Sequence, residues 1–130
     1  MNPSVGIVLV SHSVKLADGV AELVAQIGPD RVPVVAAGGD DHGGLGTSYR
    51  RVREALGAAD RGAGVVVVPD LGSAVLTARA VLEDHRRPDV VIADVPFVEG
   101  AVAAAVASAG GADLATVVKS AEESRHVSKF

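Results

Sequence analysis

Four short runs of mainly aliphatic residues constrain any fold this chain can adopt: Val5–Val10, Val32–Ala37, Val65–Val68 and Val90–Ala93. None alternates apolar with polar residues. A strand with one wet face must alternate, whereas a strand covered on both faces reads as a continuous apolar run, so these four predict a parallel sheet enclosed by helices. The segments between them carry the helical period. Lys15–Ile27 sets Leu16, Val20, Leu23, Val24 and Ile27 at helical spacing and stops at Gly28-Pro29. Thr47–Ala59 opens with a Thr-Ser capping pair and carries Val52, Ala55, Leu56 and Ala59 on one face. Ser73–Glu83 repeats the pattern through Leu76, Ala80 and Val81, and Asp84–Pro88 closes it. Val98–Ala109 and Leu114–Glu123, separated by Gly110-Gly111, complete the set.

The resulting order, β-α-β-α-β-α-β-α-α, predicts an α/β fold: a doubly wound, mainly parallel four-stranded sheet in the order 2-1-3-4, with helices on both faces. With 130 residues, 48% of them hydrophobic, the chain has enough apolar material for one core, and residues 1–130 are expected to form a single domain. Val98–Ala109 has Glu99 as its only charged residue and no polar face. Such a helix should be buried all round by core and partner, which predicts a homodimer.

Composition narrows the functional classes. The net charge of -4, with nine arginines and three lysines scattered rather than blocked, leaves no footprint for nucleic acid or an anionic membrane. No apolar stretch reaches the roughly 18 residues that span a bilayer, and the N-terminus lacks the charged segment of a signal peptide. A cytoplasmic protein is the expectation. Without cysteine there are no thiolate metal sites and no cysteine nucleophile, so covalent chemistry must use His, Ser, Asp or Lys. The only aromatic residues, Tyr49, Phe97 and Phe130, make no base-stacking platform. There is no G-x-G-x-x-G, no Walker A pattern and no G-x-S-x-G elbow, so neither a bound nucleotide cofactor nor serine hydrolysis is expected.

In a doubly wound sheet, ligands bind outside the carboxyl ends of the strands where the order reverses, here between strands 1 and 3. Those ends carry Ser11-His12-Ser13 and Pro69-Asp70-Leu71-Gly72-Ser73. His12 and Asp70 should face one another there. A carboxylate beside an imidazole fixes the ring's tautomer and frees the other nitrogen as nucleophile or base. The helix that follows His12 would supply N–H groups for an anion, with the hydroxyls of Ser11, Ser13, Thr47 and Ser73 as further phosphate-binding candidates. Together these make a phosphohistidine site. The same residues also fit a plainer reading, with His12 a turn or capping residue and Asp70 an N-cap.

Gly38–Gly46 (GGDDHGGLG) follows strand 2, and its glycines suggest a mobile rim loop. Asp40, Asp41 and His42 have metal-ligand chemistry, but three adjacent ligands in a glycine-rich loop rarely preorganise a site, and no metal is expected. Arg50, Arg51 and Arg53 oppose the dipole of their helix; they form a solvated face or steer an acidic partner. His85 and His126 are read as solvated.

The ordered segments VLVSHSVKLADGV, GTS, VVVVPDLGSA and DVPFVEGAVAAAV resemble the phosphotransferase subunits of phosphoenolpyruvate-dependent dihydroxyacetone kinases and, more widely, the mannose-type IIA domains of the phosphotransferase system. The resemblance runs over nearly the whole chain. It implies a phosphotransferase of glycerol and dihydroxyacetone metabolism that holds no cofactor and carries phosphate covalently on His12. The donor would be HPr, charged by enzyme I from phosphoenolpyruvate, and the acceptor ADP in the nucleotide-binding kinase subunit. Asp70 matches the aspartate that pairs with the active histidine, and the resemblance also points to a homodimer. Ser-His-Ser stands where mannose-type domains have a Thr-His-Gly type of motif, and no IIB domain follows, which weighs against a sugar-transport IIA component. Two other classes stay open: a receiver-like domain phosphorylated on Asp70, which would lack the acidic pair that holds magnesium, and a catalytically silent assembly module.

Overall fold

The computed structural model describes residues 3–28 and 30–130. Four strands, β1 (Gly6–Ser11), β2 (Val34–Gly38), β3 (Val65–Pro69) and β4 (Val90–Ile92), form one sheet in the order β2-β1-β3-β4, all parallel. Five α-helices connect and follow them: α1 (Val14–Val24), α2 (Tyr49–Ala59), α3 (Gly72–Asp84), α4 (Phe97–Ala109) and α5 (Leu114–Glu123), with a 3-10 turn at Ser124–His126.

The continuous apolar runs are explained by a core on each face. Ile7, Leu9, Val66 and Val68 point to one side, where they meet Val20 and Val24 of α1, Ala101, Ala104 and Ala105 of α4, and Val117 and Ala121 of α5. Val8, Val10, Val65 and Val67 point to the other, against Val52, Ala55 and Leu56 of α2 and Ala74, Ala78 and Val81 of α3. Each such strand side chain contributes about 1.5–3 kcal/mol by leaving water, and the pleat delivers successive residues to opposite cores. The alanines of α4 let that helix approach closely.

Several boundaries differ from expectation for local reasons. α1 ends at Val24, not Ile27: Ala25 caps it, Ile27 N–H turns back to the Val24 carbonyl, and Gly28 takes φ +59, outside the helical region. Pro29, the expected stop, lies outside the described residues. β2 begins at Val34, after Pro33, whose carbonyl accepts from Ile7 N–H but which has no N–H to give. Thr47 lies before α2, where Ser48 is the N-cap and accepts from Arg51 N–H at 3.1 Å. Within one chain, α4 is buried on one side. Its Gly100, Ala101, Ala104, Ala105 and Ser108 face the core, while Val98 and Val106 remain 39% and 56% exposed. No described helix is long and apolar enough to cross a membrane.

Candidate active site

Register decides which side chains meet at the carboxyl end of the sheet. Val10 pairs with Pro69, and Asp70 N–H donates to the Val10 carbonyl at 3.0 Å. Ser11 ends β1, and His12 and Asp70 therefore leave the sheet side by side. The Asp70 carboxylate then gathers four donors. Its Oδ2 accepts from the Ser11 hydroxyl at 2.8 Å and from His12 N–H at 3.1 Å. Its Oδ1 accepts from Leu71 N–H at 2.7 Å and lies 3.0 Å from His12 Nδ1. Facing a carboxylate, Nδ1 carries the ring proton and donates it, which leaves the lone pair on Nε2. Burial is the largest influence on Asp70 and pushes its pKa up, but the bonds from Ser11, His12 and Leu71 together hold it below the usual carboxylate range.

Exposure is graded across the pair. The Asp70 side chain is 8% exposed and that of His12 24%, so the carboxylate is inside and the ring reaches the crevice. Nε2 meets the hydroxyl of Ser73, in the first turn of α3. The N-cap of that helix, Leu71, gives it no side-chain cap. α1 differs: Ser13 Oγ accepts from Leu16 N–H at 3.2 Å. The free helix N–H groups expected at the start of α1 are partly taken there, since Ser13 occupies the Leu16 N–H, whereas the first turn of α3 has no side-chain cap. The capping alternatives for His12 and Asp70 fall for related reasons: Ser13 and Leu71 are the N-cap residues, and the His12 ring is turned onto Asp70.

Of the four hydroxyls expected at the rim, one adjoins the ring nitrogen. Ser73 touches Nε2. Ser11 is fully buried, and its hydroxyl is given to Asp70. Thr47 Oγ1 pairs with Thr77 Oγ1 at 2.6 Å, and Thr77 donates to the Ser73 carbonyl at 3.1 Å, so Thr47 latches the β2–α2 connection to α3. The sequence reading missed Thr77, although its place four residues after Ser73 puts both on one helix face.

The glycine-rich loop is not a loose rim. Asp40 Oδ1 accepts from His42 N–H at 2.9 Å and Gly44 N–H at 2.8 Å, Asp40 N–H donates to the Gly44 carbonyl, and Gly46 N–H reaches the His12 carbonyl at 2.9 Å. Asp41 accepts from the Ser48 hydroxyl. The N–H groups of Gly44, the strongest influence, and of His42 hold Asp40 below the usual carboxylate range. Among the described residues no three metal-ligating side chains converge. Arg51 is more than a solvated residue: it donates to the Gly38 carbonyl at the end of β2 at 2.9 Å. Arg50 pairs with Glu54 and lies 3.9 Å from Asp41. His85 is half-buried, its ring 6.3 Å from that of Tyr49, and His126 is exposed in the final turn.

On the far side of Asp70, a cleft of about 430 Å³ opens between the ends of β3 and β4, lined by Asp70, Leu71, Gly72, Val75 and Arg79 and by Ile92–Val95.

Residues 6–118 match the sequence model of EIIA-man, the PTS system fructose IIA component. The chain belongs to the EIIA-man family. Relatives of this EIIA-man chain include the phosphoryl donor subunit DhaM of PEP-dependent dihydroxyacetone kinase 2 from Listeria innocua, 35% identical over 107 residues, which make up 80% of this chain and 86% of that protein. The corresponding DhaM subunit of Escherichia coli is 38% identical over 120 residues, 88% of this chain but 25% of its own length. The EIIA-man chain thus spans about a quarter of that longer relative. Among solved structures, a protein of unknown function, EF1359, superimposes with a TM-score of 0.82 at 30% identity, covering 92% of this chain and 94% of its own. A sigma-54 interaction domain protein from Enterococcus faecalis shares the fold, with a TM-score of 0.68 at 13% identity.

Proposed function

We propose that this EIIA-man chain is the phosphoryl donor subunit of a phosphoenolpyruvate-dependent dihydroxyacetone kinase. It accepts a phosphoryl group from phospho-HPr on His12 Nε2 and passes it to ADP held in the kinase's nucleotide-binding subunit. The observation that carries this reading is the Nδ1–Oδ1 contact of 3.0 Å, which places the ring's lone pair on Nε2 of a partly exposed side chain, where only the Ser73 hydroxyl meets it among the described residues. The names of the relatives, phosphoryl donor subunits of dihydroxyacetone kinases, supply the physiological setting.

In the first step the Nε2 lone pair attacks phosphorus as the donor's P–N bond breaks, and the electron pair returns to the donor's imidazole. His12 becomes a cationic phosphoimidazole, which the Asp70 carboxylate stabilises through Nδ1–H. For this the Ser73 hydroxyl must rotate away from Nε2. It then donates to a phosphoryl oxygen, alongside the first N–H groups of α3. In the second step a β-phosphate oxygen of ADP attacks the same phosphorus from the side opposite Nε2, and the P–N bond breaks. In-line transfer requires near contact, and the chain lacks a nucleotide motif, so the acceptor subunit must bring the ADP. The receiver-like alternative is disfavoured because four donors fill the lone-pair directions of the Asp70 carboxylate.

The same proposal includes a single IIA domain, a location in the cytoplasm with its donors, and a homodimer in which Val98 and Val106 of α4 face a second copy. A sedimentation mass of one chain at micromolar concentration would refute the dimer. The central test is incubation with phosphoenolpyruvate, enzyme I and HPr, followed by mapping of the label. Acid-labile, base-stable label on His12 is expected; label that survives acid overturns the reading. The charged protein should then lose its label to the ADP-loaded subunit, not to free dihydroxyacetone.

A further inference from the structure

A buried hydroxyl stands behind the site without touching the reactive nitrogen. Ser11 ends β1, after Ile7, Val8, Leu9 and Val10, and is as fully buried as they are. A hydroxyl in such a place is costly unless its hydrogen-bonding capacity is met. Here Oγ accepts from Ser13 N–H at 3.1 Å and donates to Asp70 Oδ2 at 2.8 Å.

The geometry points to Ser11 as the positioning residue of the phosphoryl-carrying histidine: it holds the Asp70 carboxylate in the orientation that grips Nδ1–H of His12. This rests on the reading of His12 as the carrier. Of the four donors on Asp70, two are backbone N–H groups and one is the ring being positioned; the Ser11 hydroxyl is the only other side chain. It therefore aims the carboxylate independently of the ring. Without it, Oδ2 keeps a single donor in a nearly buried place. The carboxylate must then turn, admit water or take up a proton, and each response weakens the bond to Nδ1. Ser13 N–H closes onto the same Oγ, so the start of α1 and the carboxylate share one anchor, and His12 leaves the sheet between them. Among the bonds that keep Asp70 ionised against its burial, the one from Ser11 is the strongest influence.

The effect belongs to the transfer step. Once Nε2 holds a phosphoryl group the ring is cationic, and a carboxylate that has swung away or become neutral stabilises neither the gain nor the loss of that group. Full-length wild type, Ser11→Ala, Ser11→Cys and Ser11→Thr would be charged with phospho-HPr while the Asp70 carboxyl carbon and the His12 ring nitrogens are followed by NMR across pH. Ser11→Ala and Ser11→Cys should accept label about tenfold more slowly, in line with the loss of a group that orients a reactive imidazole. The Asp70 titration should move to higher pH in both, and the ring should lose its preference for the Nδ1–H tautomer. Ser11→Thr, which keeps the hydroxyl, should behave as wild type. If Ser11→Ala does not fold, Ser11→Cys, close in volume but a weak donor, decides. Wild-type transfer and an unmoved Asp70 titration in either folded variant would overturn the inference, as would Ser11→Thr being as slow as Ser11→Ala. A wild type that takes no label on His12 overturns the phosphohistidine reading and this inference with it. A labelled wild type beside an unaffected Ser11→Cys overturns this inference alone.

Discussion

Past the end of β1, His12 is held by a carboxylate 58 positions away, whereas past the end of β2 Asp40, Asp41 and His42 stand side by side and hold no ring. The two regions have the same residue types at the same level of one sheet. Asp40 accepts from the N–H groups of its own turn, at His42 and Gly44. Asp41 takes the hydroxyl of Ser48, the cap of the helix that follows. An aspartate in a turn readily accepts from backbone N–H groups a few residues ahead. Asp70 also takes a neighbouring N–H, that of Leu71, but its strand delivers it beside β1, and its remaining lone pairs meet Ser11 and His12. Carboxylates adjacent in sequence to a histidine became loop scaffolding, while a distant one became its partner.

The strongest way to break this comparison is to remove each histidine. His12→Ala should abolish acceptance of phosphate from phospho-HPr, and His42→Ala should leave it unchanged; label mapped to His42 would dissolve the distinction. Next come the carboxylates. Asp70→Asn should slow transfer at least about tenfold, roughly 1.4 kcal/mol of barrier, because an amide oxygen or NH₂ group cannot stabilise the imidazolium as an anion does. Asp40→Asn keeps an oxygen for the turn and should transfer at the wild-type rate.

Acid titration sharpens the comparison further. Both Asp40 and Asp70 are held below the usual carboxylate range when folded. A depressed folded pKa gives stability that is present above the unfolded value and is lost as pH falls through the folded one. Thermal melts followed downward from about pH 5 should fall more steeply for wild type than for Asp70→Asn. The corresponding difference for Asp40→Asn should be smaller, since water screens its exposed turn. Gly43→Ala is the mildest test: Gly43 has φ +81 with open space where a Cβ would go. It should cost about 1 kcal/mol of stability from the left-handed backbone alone and leave the transfer rate untouched. A slowed transfer would show that the loop does more than support His12 through the Gly46 N–H to His12 carbonyl bond.

Much of the fold was legible because the signals were periodic and local. The apolar runs announce doubly covered strands, the 3.6 spacing announces helices, and the switch-point rule puts His12 and Asp70 together. The shifts at α1 and β2 arose from single-residue backbone effects at Gly28 and Pro33, which spacing does not resolve. The fine assignment of hydroxyls was not legible. Ser11, Ser13, Thr47 and Ser73 look alike in sequence, yet one supports the carboxylate, one caps α1, one latches α3 and one meets Nε2.

By itself, the sequence determined the element order, the two-sided cores and the neighbourhood in which chemistry is feasible, since burial periodicity and chain connectivity depend only on the order of residues. Tertiary structure alone decided which hydroxyl serves which partner and which helix end stays uncapped beside the ring. A hydrogen bond depends on distances of a few tenths of an ångström and on the direction of each donor. Those are set here by the pairing of Val10 with Pro69, a contact between strands that no local stretch of sequence contains.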